Sequence, residues 1–260
     1  MVDWTNLTKF ILLAARMSGF VLLDPILGRR SIPGLFRSGL ILVLTVFTYS
    51  AIGTGPVAMS ASVPVLMISI LMELLLGFFL GMVVHFFLYI PQMAGLMVDT
   101  QMGMTMNQIY DAGAQSNLSV TGEVLNILML LLFFAGNGHH TLLRILITSE
   151  QIVPLGHVFF SDGAINGMLE LFVECTLLAI KLCMPILAAE LIGQLGMGLL
   201  MKVIPQINVF SINIELKVLI GLVILFLMIA PFSEFLLSAE MEMLNDLGGI
   251  LTRLSTAVSP

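Results

Sequence analysis

Apolar residues fill six stretches of the chain, and short segments rich in Gly, Pro, Asn and Ser separate them. We predict a helix in each stretch, at residues 10–28, 40–52, 63–90, 124–147, 168–201 and 212–237. The third would be roughly 42 Å long at about 1.5 Å per residue, whereas the hydrocarbon core of a bilayer is about 30 Å thick. The pattern therefore predicts an all-α membrane protein built of long helical hairpins that extend beyond the bilayer.

The composition agrees with a membrane location. Of 260 residues, 58% are hydrophobic and only 10% are charged, so a water-soluble fold could not bury the apolar surface and lipid must cover part of it. The net charge of −6 comes from scattered carboxylates, and the chain has no Lys/Arg block of the kind that binds nucleic acid. It also has no phosphate loop, nucleophile motif or metal-binding spacing, so we expect no enzyme activity and no catalytic, cofactor or metal site.

Ionisable residues lie inside several of the apolar segments, where exposure to lipid would be costly. Glu73 lies in the third segment, and Glu174 and Lys181 lie two helical turns apart on one face of the fifth. We expect partner subunits of an obligate oligomer to cover these groups, with Glu174 and Lys181 in an ion pair between helices that fixes the assembly. For Glu73 two interpretations stay open: a functional intramembrane carboxylate, or a hydrogen bond to the backbone of a neighbouring subunit.

Two short patterns bear on packing and orientation. Gly77 and Gly81 form a Gly-x-x-x-Gly face on the third predicted helix, which lets the backbone of another helix approach closely. Arg29, Arg30 and Arg37 cluster between the first two segments, and by the positive-inside rule they mark a loop on the cytoplasmic side. We therefore expect the glycines to support helix packing and assembly, and the arginines to orient the chain.

A polar segment at residues 103–122 separates the third and fourth apolar stretches. Backbone groups cannot stay unbonded in lipid, so this segment either lies in water or lines a water-filled or protein-walled cavity. We expect the next helix to start just after Thr121 and Gly122. The densest methionine cluster leads into the segment, and we interpret Met102, Met104 and Met106 as a soft seal beside the cavity, with ordinary core filling as the alternative.

The histidines and cysteines do not form a convincing ligand set. His139 and His140 are adjacent, so on a helix their side chains point about 100° apart, which is a poor arrangement for one metal ion. We expect the Gly-Asn-Gly sequence at residues 136–138 to interrupt the helix instead. Cys175 and Cys183 lie in one apolar helical stretch and are best interpreted as small buried hydrophobes.

Four short motifs occur in a characteristic order along the chain. They are Gly-Arg-Arg-Ser-Ile-Pro-Gly at residues 28–34, Gln-Met-Gly-Met-Thr at 101–105, Phe-Phe-Ala-Gly-Asn-Gly-His at 133–139 and Ile-Pro-Gln-Ile-Asn-Val-Phe at 204–210. Together they resemble the family of the flagellar biosynthetic protein FliR and its virulence type III secretion counterparts. The resemblance spans nearly the whole chain.

This resemblance implies a structural subunit of the export gate, through which unfolded flagellar proteins cross the bacterial inner membrane. Such a multi-pass subunit would join FliP and FliQ in a closed helical hetero-oligomer of the flagellar basal body, alongside FlhB and FlhA. Residues 1–160 would be FliP-like and residues 161–260 a FliQ-like hairpin. The loop at about residues 104–117, including Asn107, Gln108, Ile109 and Tyr110, would be the plug that closes the pore.

Two alternatives belong to other classes. The chain could serve a virulence type III secretion system, or it could be a stand-alone ion-coupled secondary transporter that uses Glu73 and the pair of Glu174 and Lys181. The absence of detectable inverted repeats argues against the transporter. An intramembrane hydrolase lacks a convincing nucleophile and base.

Overall fold

A computed structural model describes residues 4–25, 33–52, 63–104, 119–158, 162–203 and 209–256. Nearly all of these residues lie in helices and none lies in a strand, which confirms the predicted all-α membrane protein. We number the helices α1 Trp4–Leu23, α2 Gly34–Ile52, α3 Val63–Met102, α4 Val120–Ala135, α5 Gly138–Ile152, α6 Asp162–Val203, α7 Val209–Leu227 and α8 Ile229–Thr256.

Four of these helices are long and apolar enough to cross a membrane by themselves, namely α1, α2, α3 and α6. Two further pairs meet the same criterion only when they are taken together. The pair of α4 and α5 is bent by 69°, and the pair of α7 and α8 is bent by 63°. The described residues therefore hold four to six candidate spans.

The two longest helices run past internal prolines. Helix α3 has 40 residues and contains Pro91, and α6 has 42 residues and contains Pro185. The predicted third segment stopped at residue 90, so it was too short. Proline removes one backbone hydrogen bond, but the helix continues through Pro91, and Ile90 and Ala94 on either side of it are almost fully buried.

The two bent pairs have separate causes. The predicted break at residues 136–138 is confirmed, since Asn137 adopts a left-handed φ of 59° between α4 and α5. The break at Met228 was not predicted. Pro231 lies early in α8, where its ring would clash with the carbonyl of Leu227 in a continuous helix, and proline is well tolerated in the first turn of a new one.

The chain packs as two compact units, each built from separate stretches of sequence. Unit 1 comprises Met1–Phe87, Asn137–Phe172 and Met241–Pro260, and unit 2 comprises Leu88–Gly136 and Val173–Glu240. In unit 1, α2 packs along α1 and also contacts α5. The predicted division at residue 160 concerns likeness to FliP and FliQ, which these packing units do not test, so it stays a prediction.

Candidate functional site

In unit 1, glycines bring α1 and α3 into backbone contact. A Cβ atom on Gly77 would overlap the carbonyl oxygen of Arg16, and one on Gly19 would overlap that of Leu74. One turn further along α3, a Cβ on Gly81 would lie 2.9 Å from the carbonyl oxygen of Phe20. The Gly-x-x-x-Gly face of α3 therefore lies against α1 of the same chain, and only residues without a side chain fit at Gly77 and Gly19.

One turn from this contact, Arg16 and Glu73 form a fully buried ion pair. The Nε of Arg16 donates to Oε2 of Glu73 over 2.6 Å, and both side chains have no exposed surface. The close approach of the helices brings the two side chains together, because Glu73 precedes Gly77 by one turn and Arg16 precedes Gly19 by three residues. The sequence pattern did not indicate Arg16 as the partner of Glu73.

The pair is extended into a network that satisfies both partners. Arg16 also donates from Nη1 to Oγ of Ser149 over 3.1 Å and from Nη2 to the carbonyl of Val153 over 3.0 Å. The second carboxylate oxygen of Glu73 accepts from the backbone N–H of Gly156 over 2.9 Å. The network thus ties α1 and α3 to the C-terminal end of α5 and to the segment that follows it.

In unit 2, Asp99 joins the end of α3 to the start of α4. Its carboxylate accepts from Oγ of Ser119 over 2.7 Å and from the backbone N–H of Thr121 over 3.2 Å. Ser119 is the N-cap of α4, which begins at Val120 rather than after Gly122 as predicted. A Cβ on Gly95 would overlap the Cα of Gly122, so these helix ends are also in backbone contact.

Of the residues assigned to the pore seal, the structure describes Met102 and Met104. Met102 is fully buried, and a Cβ added to Gly221 of α7 would lie 2.8 Å from its sulfur. Met104 is partly buried, and its backbone N–H donates to the carbonyl of Asp99 over 3.0 Å. The remaining predicted seal and plug residues lie outside the described residues, namely Met106, Asn107, Gln108, Ile109 and Tyr110.

The charged residues of α6 differ in their surroundings. Glu174 and Lys181 are both exposed, and neither forms an ion pair with another residue that the structure describes. Glu190 is fully buried, and neither of its carboxylate oxygens has a hydrogen-bond partner among those residues. Lys217 of α7 is the positive charge that acts on Glu190. The sequence pattern did not indicate a role for Glu190.

The remaining residues that the sequence singled out are not among the partners of Arg16, Glu73 or Asp99 described above. Arg37 lies half-buried on α2, whereas Arg29 and Arg30 fall outside the described residues. The rings of His139 and His140 lie next to each other, with centroids 4.1 Å apart and their planes tilted by 40°. Across the described ranges, no group of three His, Cys, Asp or Glu side chains is placed to hold a metal ion. The geometry is that of a helical assembly fixed by glycine contacts and buried polar networks.

Comparison with known proteins gives a family match. The family model described as bacterial export proteins, family 1, matches residues 7–243. The chain is 28% identical over 253 residues to the flagellar biosynthetic protein FliR of Escherichia coli K12, covering 95% of this chain and 94% of that protein. It is 28% identical to FliR of Bacillus subtilis 168, covering 83% and 84% of the two chains. It is 29% identical to the Yop proteins translocation protein T of Yersinia pestis, covering 81% of each.

Proposed function

The chain belongs to the bacterial export proteins, family 1, and on that basis we propose that it is a structural subunit of the gate of a flagellar type III export apparatus. The gate is the membrane pore through which unfolded flagellar proteins leave the cytoplasm. The observation that carries the proposal is the family match over residues 7–243, which includes six of the eight described helices in full, about half of α8 and all but the first turn of α1.

The names of the relatives support a role in export but leave the choice of system open. Two are flagellar biosynthetic proteins and one is a translocation protein for Yop proteins, at nearly equal identity. We favour the flagellar system and keep a virulence system as the alternative. Deleting the gene distinguishes them: a flagellar subunit is required for filaments and swimming, whereas a virulence subunit is required for effector secretion only.

The distribution of charge supports an assembly with other membrane proteins. Helix α6 leaves Glu174 and Lys181 exposed between apolar residues such as Val173 and Leu177. Charged groups are unfavourable against lipid, so we propose that neighbouring subunits cover them. The partners we propose are FliP and FliQ in the gate, with FlhB and FlhA nearby in the inner membrane of the basal body. Within this assembly, residues 1–160 would be FliP-like and 161–260 FliQ-like.

A transporter or an enzyme fits the contacts less well. Ion coupling through Glu73 needs a carboxylate that can bind and release a cation, but both of its oxygens accept hydrogen bonds from Arg16 and Gly156. Replacing those bonds would break the network that joins α1, α3 and α5. We therefore propose a packing role for Glu73 and no catalytic step for the chain.

We further propose that the loop at about residues 104–117 is the inner plug of the pore, with Met102, Met104 and Met106 as its seal. The contact of Met102 with Gly221 supports this proposal, because an unbranched thioether fills the notch that the glycine leaves. Such a side chain can change its rotamer and close again around different polypeptides.

The plug is tested by ion conductance of the reconstituted gate. Shortening residues 106–116 with a Gly-Ser linker should leave assembly intact, since this part of the sequence is mostly polar, and should make the membrane leak. Replacing Met102, Met104 and Met106 by Ala should act in the same direction, whereas replacing them by Leu should keep the pore closed. A fully assembled, loop-shortened gate without added leak would make the loop an exposed connector.

The assembly itself is tested by purification of the affinity-tagged chain. A gate subunit should co-purify with other small membrane proteins of the export apparatus in mild detergent. A stand-alone transporter should purify as a small oligomer of itself.

A further inference from the structure

We propose that the paired helices α1 and α2 form a lipid-facing surface of the chain, with acyl chains against the middle of α2 and headgroups at its two ends. The inference concerns unit 1 alone and does not depend on the export function proposed above. Helix α2 packs along α1 and contacts α5, yet only 17% of its apolar stretch Gly34–Ala51 is buried. Most of α2 therefore faces away from the part of the chain that the structure describes.

The outward face of α2 is apolar over most of its length. Phe36, Val43 and Phe47 are all exposed, and their spacing places them on one face of the helix. A Cβ atom on Gly39, which lies on the same face, would meet nothing within 4 Å. The opposite face carries the buried Thr45, whose hydroxyl donates to a carbonyl one turn earlier in its own helix over 2.7 Å. The outward face therefore needs no hydrogen-bond partner in its middle.

The ionisable residues of the two helices are kept away from this face. Three charged residues lie in α1 or directly after it, and all are at most 2% exposed, namely Lys9, Arg16 and Asp24. In α2 the single charged residue is Arg37, close to the start of the helix. Helix α6 differs, because Glu174 and Lys181 are exposed along its length. Since exposed charge is unfavourable against lipid, the surface of α1 and α2 suits acyl chains and that of α6 does not.

The ends of the helix pair carry residues that anchor helices at a membrane surface. The rings of Phe10 and Tyr49 make an edge-to-face contact with centroids 6.2 Å apart, so the start of α1 lies beside the end of α2. Trp4 begins α1 at that end and is 72% exposed, whereas Arg37 lies towards the other end. Trp and Tyr are enriched at the membrane–water interface, and Arg near a helix end reaches the headgroups.

The separation of these anchors matches a bilayer. From Arg37 along α2 to Tyr49, and on along α1 from Phe10 to Trp4, the pair rises about 27 Å at about 1.5 Å per residue. The hydrocarbon core is about 30 Å thick. Contacts between membrane helices favour small residues and buried hydrogen bonds, whereas the outward face of α2 offers bulky apolar side chains around a single glycine. The surface therefore fits acyl chains better than a neighbouring helix.

Spin labels on α2 identify its neighbour in the purified gate complex, reconstituted in vesicles of phosphatidylethanolamine and phosphatidylglycerol. Nitroxides are attached at three positions of the outward face, in Phe36→Cys, Val43→Cys and Ser50→Cys. Both native cysteines are replaced by Ala, and the complex without an introduced cysteine gives the background. At position 43 we expect frequent collisions with oxygen and rare collisions with a water-soluble nickel chelate. The ratio of oxygen to nickel accessibility should fall severalfold towards positions 36 and 50.

The two other possible neighbours give different values. Low accessibility to both reagents at position 43 would mean that another protein covers the face, and high accessibility to the nickel chelate would mean that water does. Either result overturns the proposal. A label in Leu177→Cys, between the exposed charges of α6, separates this inference from the proposed assembly. If positions 43 and 177 both give lipid values, subunit cover of α6 is refuted and lipid contact of α2 is supported.

Substitutions at Val43 give a second test that needs no label. Lipid accommodates added bulk and a packed subunit does not, so Val43→Trp should give a normal yield of the complex. Val43→Lys puts a charge near the middle of the hydrocarbon and should lower the yield severalfold. The controls Val43→Ala, for lost apolar surface, and Phe36→Lys, at headgroup level, should not lower it. A low yield for Val43→Trp, or a normal yield for Val43→Lys, would overturn the proposal.

Discussion

Replacing Glu73 by Ala tests whether the buried network of unit 1 stabilises the subunit. The variant removes the carboxylate that accepts from Nε of Arg16 over 2.6 Å and from the N–H of Gly156 over 2.9 Å. Arg16 has no exposed surface, so its guanidinium would remain in the protein interior without a counter-charge. Glu73→Ala is therefore expected to be far more damaging than loss of a carboxylate from a helix surface.

The expected loss of stability follows from the groups that Glu73→Ala leaves without a partner. Removing one partner of a buried ion pair costs about 3–5 kcal/mol, and the N–H of the exposed Gly156 adds little because water can replace its lost acceptor. A loss of about 5 kcal/mol corresponds to a fall in unfolding temperature of roughly 10 °C or more for a chain of this size. The control Glu123→Gln, at an exposed position in the first turn of α4, should cost less than about 1 kcal/mol.

The double variant Arg16→Met with Glu73→Leu gives the sharper test. It removes both charges and leaves apolar side chains of similar length, and Ser149 keeps its bond to the carbonyl of Leu146. Only the backbone groups of Val153 and Gly156 lose a partner, so the double variant should be more stable than Glu73→Ala. The assay is the fraction of the detergent-purified complex that stays intact after heating. A double variant less stable than the single one would refute the argument from an uncompensated charge.

Three further outcomes are expected. Gly77→Leu should lower complex yield severalfold because its side chain would overlap Arg16, whereas Gly39→Leu, where a Cβ meets nothing within 4 Å, should not; equal yields would mean that the α1–α3 contact is dispensable. The chain expressed alone should aggregate, and a monodisperse, protease-resistant monomer would contradict the gate proposal. Glu190→Gln should keep normal yield, because Gln has nearly the same shape and removes a buried charge that is costly without hydrogen bonds; loss of the complex would show that the attraction between Glu190 and Lys217 is needed for packing.

Most helices could be predicted from apolar runs, because a chain that must satisfy its backbone in lipid forms a helix wherever such a run is long enough. Of the two exceptions, one depended on packing and the other on a local feature that the apolar pattern concealed. Helix α3 continues past Pro91 because buried residues on both sides hold it, and nothing in the local sequence reports that burial. The break at Met228 had a local cause in Pro231, but the uninterrupted apolar pattern concealed it.

The contacts of the site were harder to predict than its residues. Glu73 and Gly77 stood out because a carboxylate and a glycine pair are unusual in an apolar helix, yet the partner of Glu73 lies 57 residues away, and the link from Arg16 to Ser149 spans 133 residues. Spacing within one helix carries no information about such pairs. Asp99 was missed because an acidic residue at the end of an apolar run resembles an ordinary exposed helix terminus.

The Arg16–Glu73 network and the contacts of Asp99 are built in the same way, and this explains where they lie. Between helices in lipid there is little hydrophobic driving force, so close packing and buried hydrogen bonds select the partners. Gly19 and Gly77 adjoin the Arg16 network, and Gly95 and Gly122 adjoin Asp99 in the same way. At both sites the glycines let two helices approach closely enough to bring the polar groups within hydrogen-bonding distance. Glu174 and Lys181 of α6 have no such arrangement with the residues that the structure describes, and this contrast is the physical reason for the proposal that other subunits cover them.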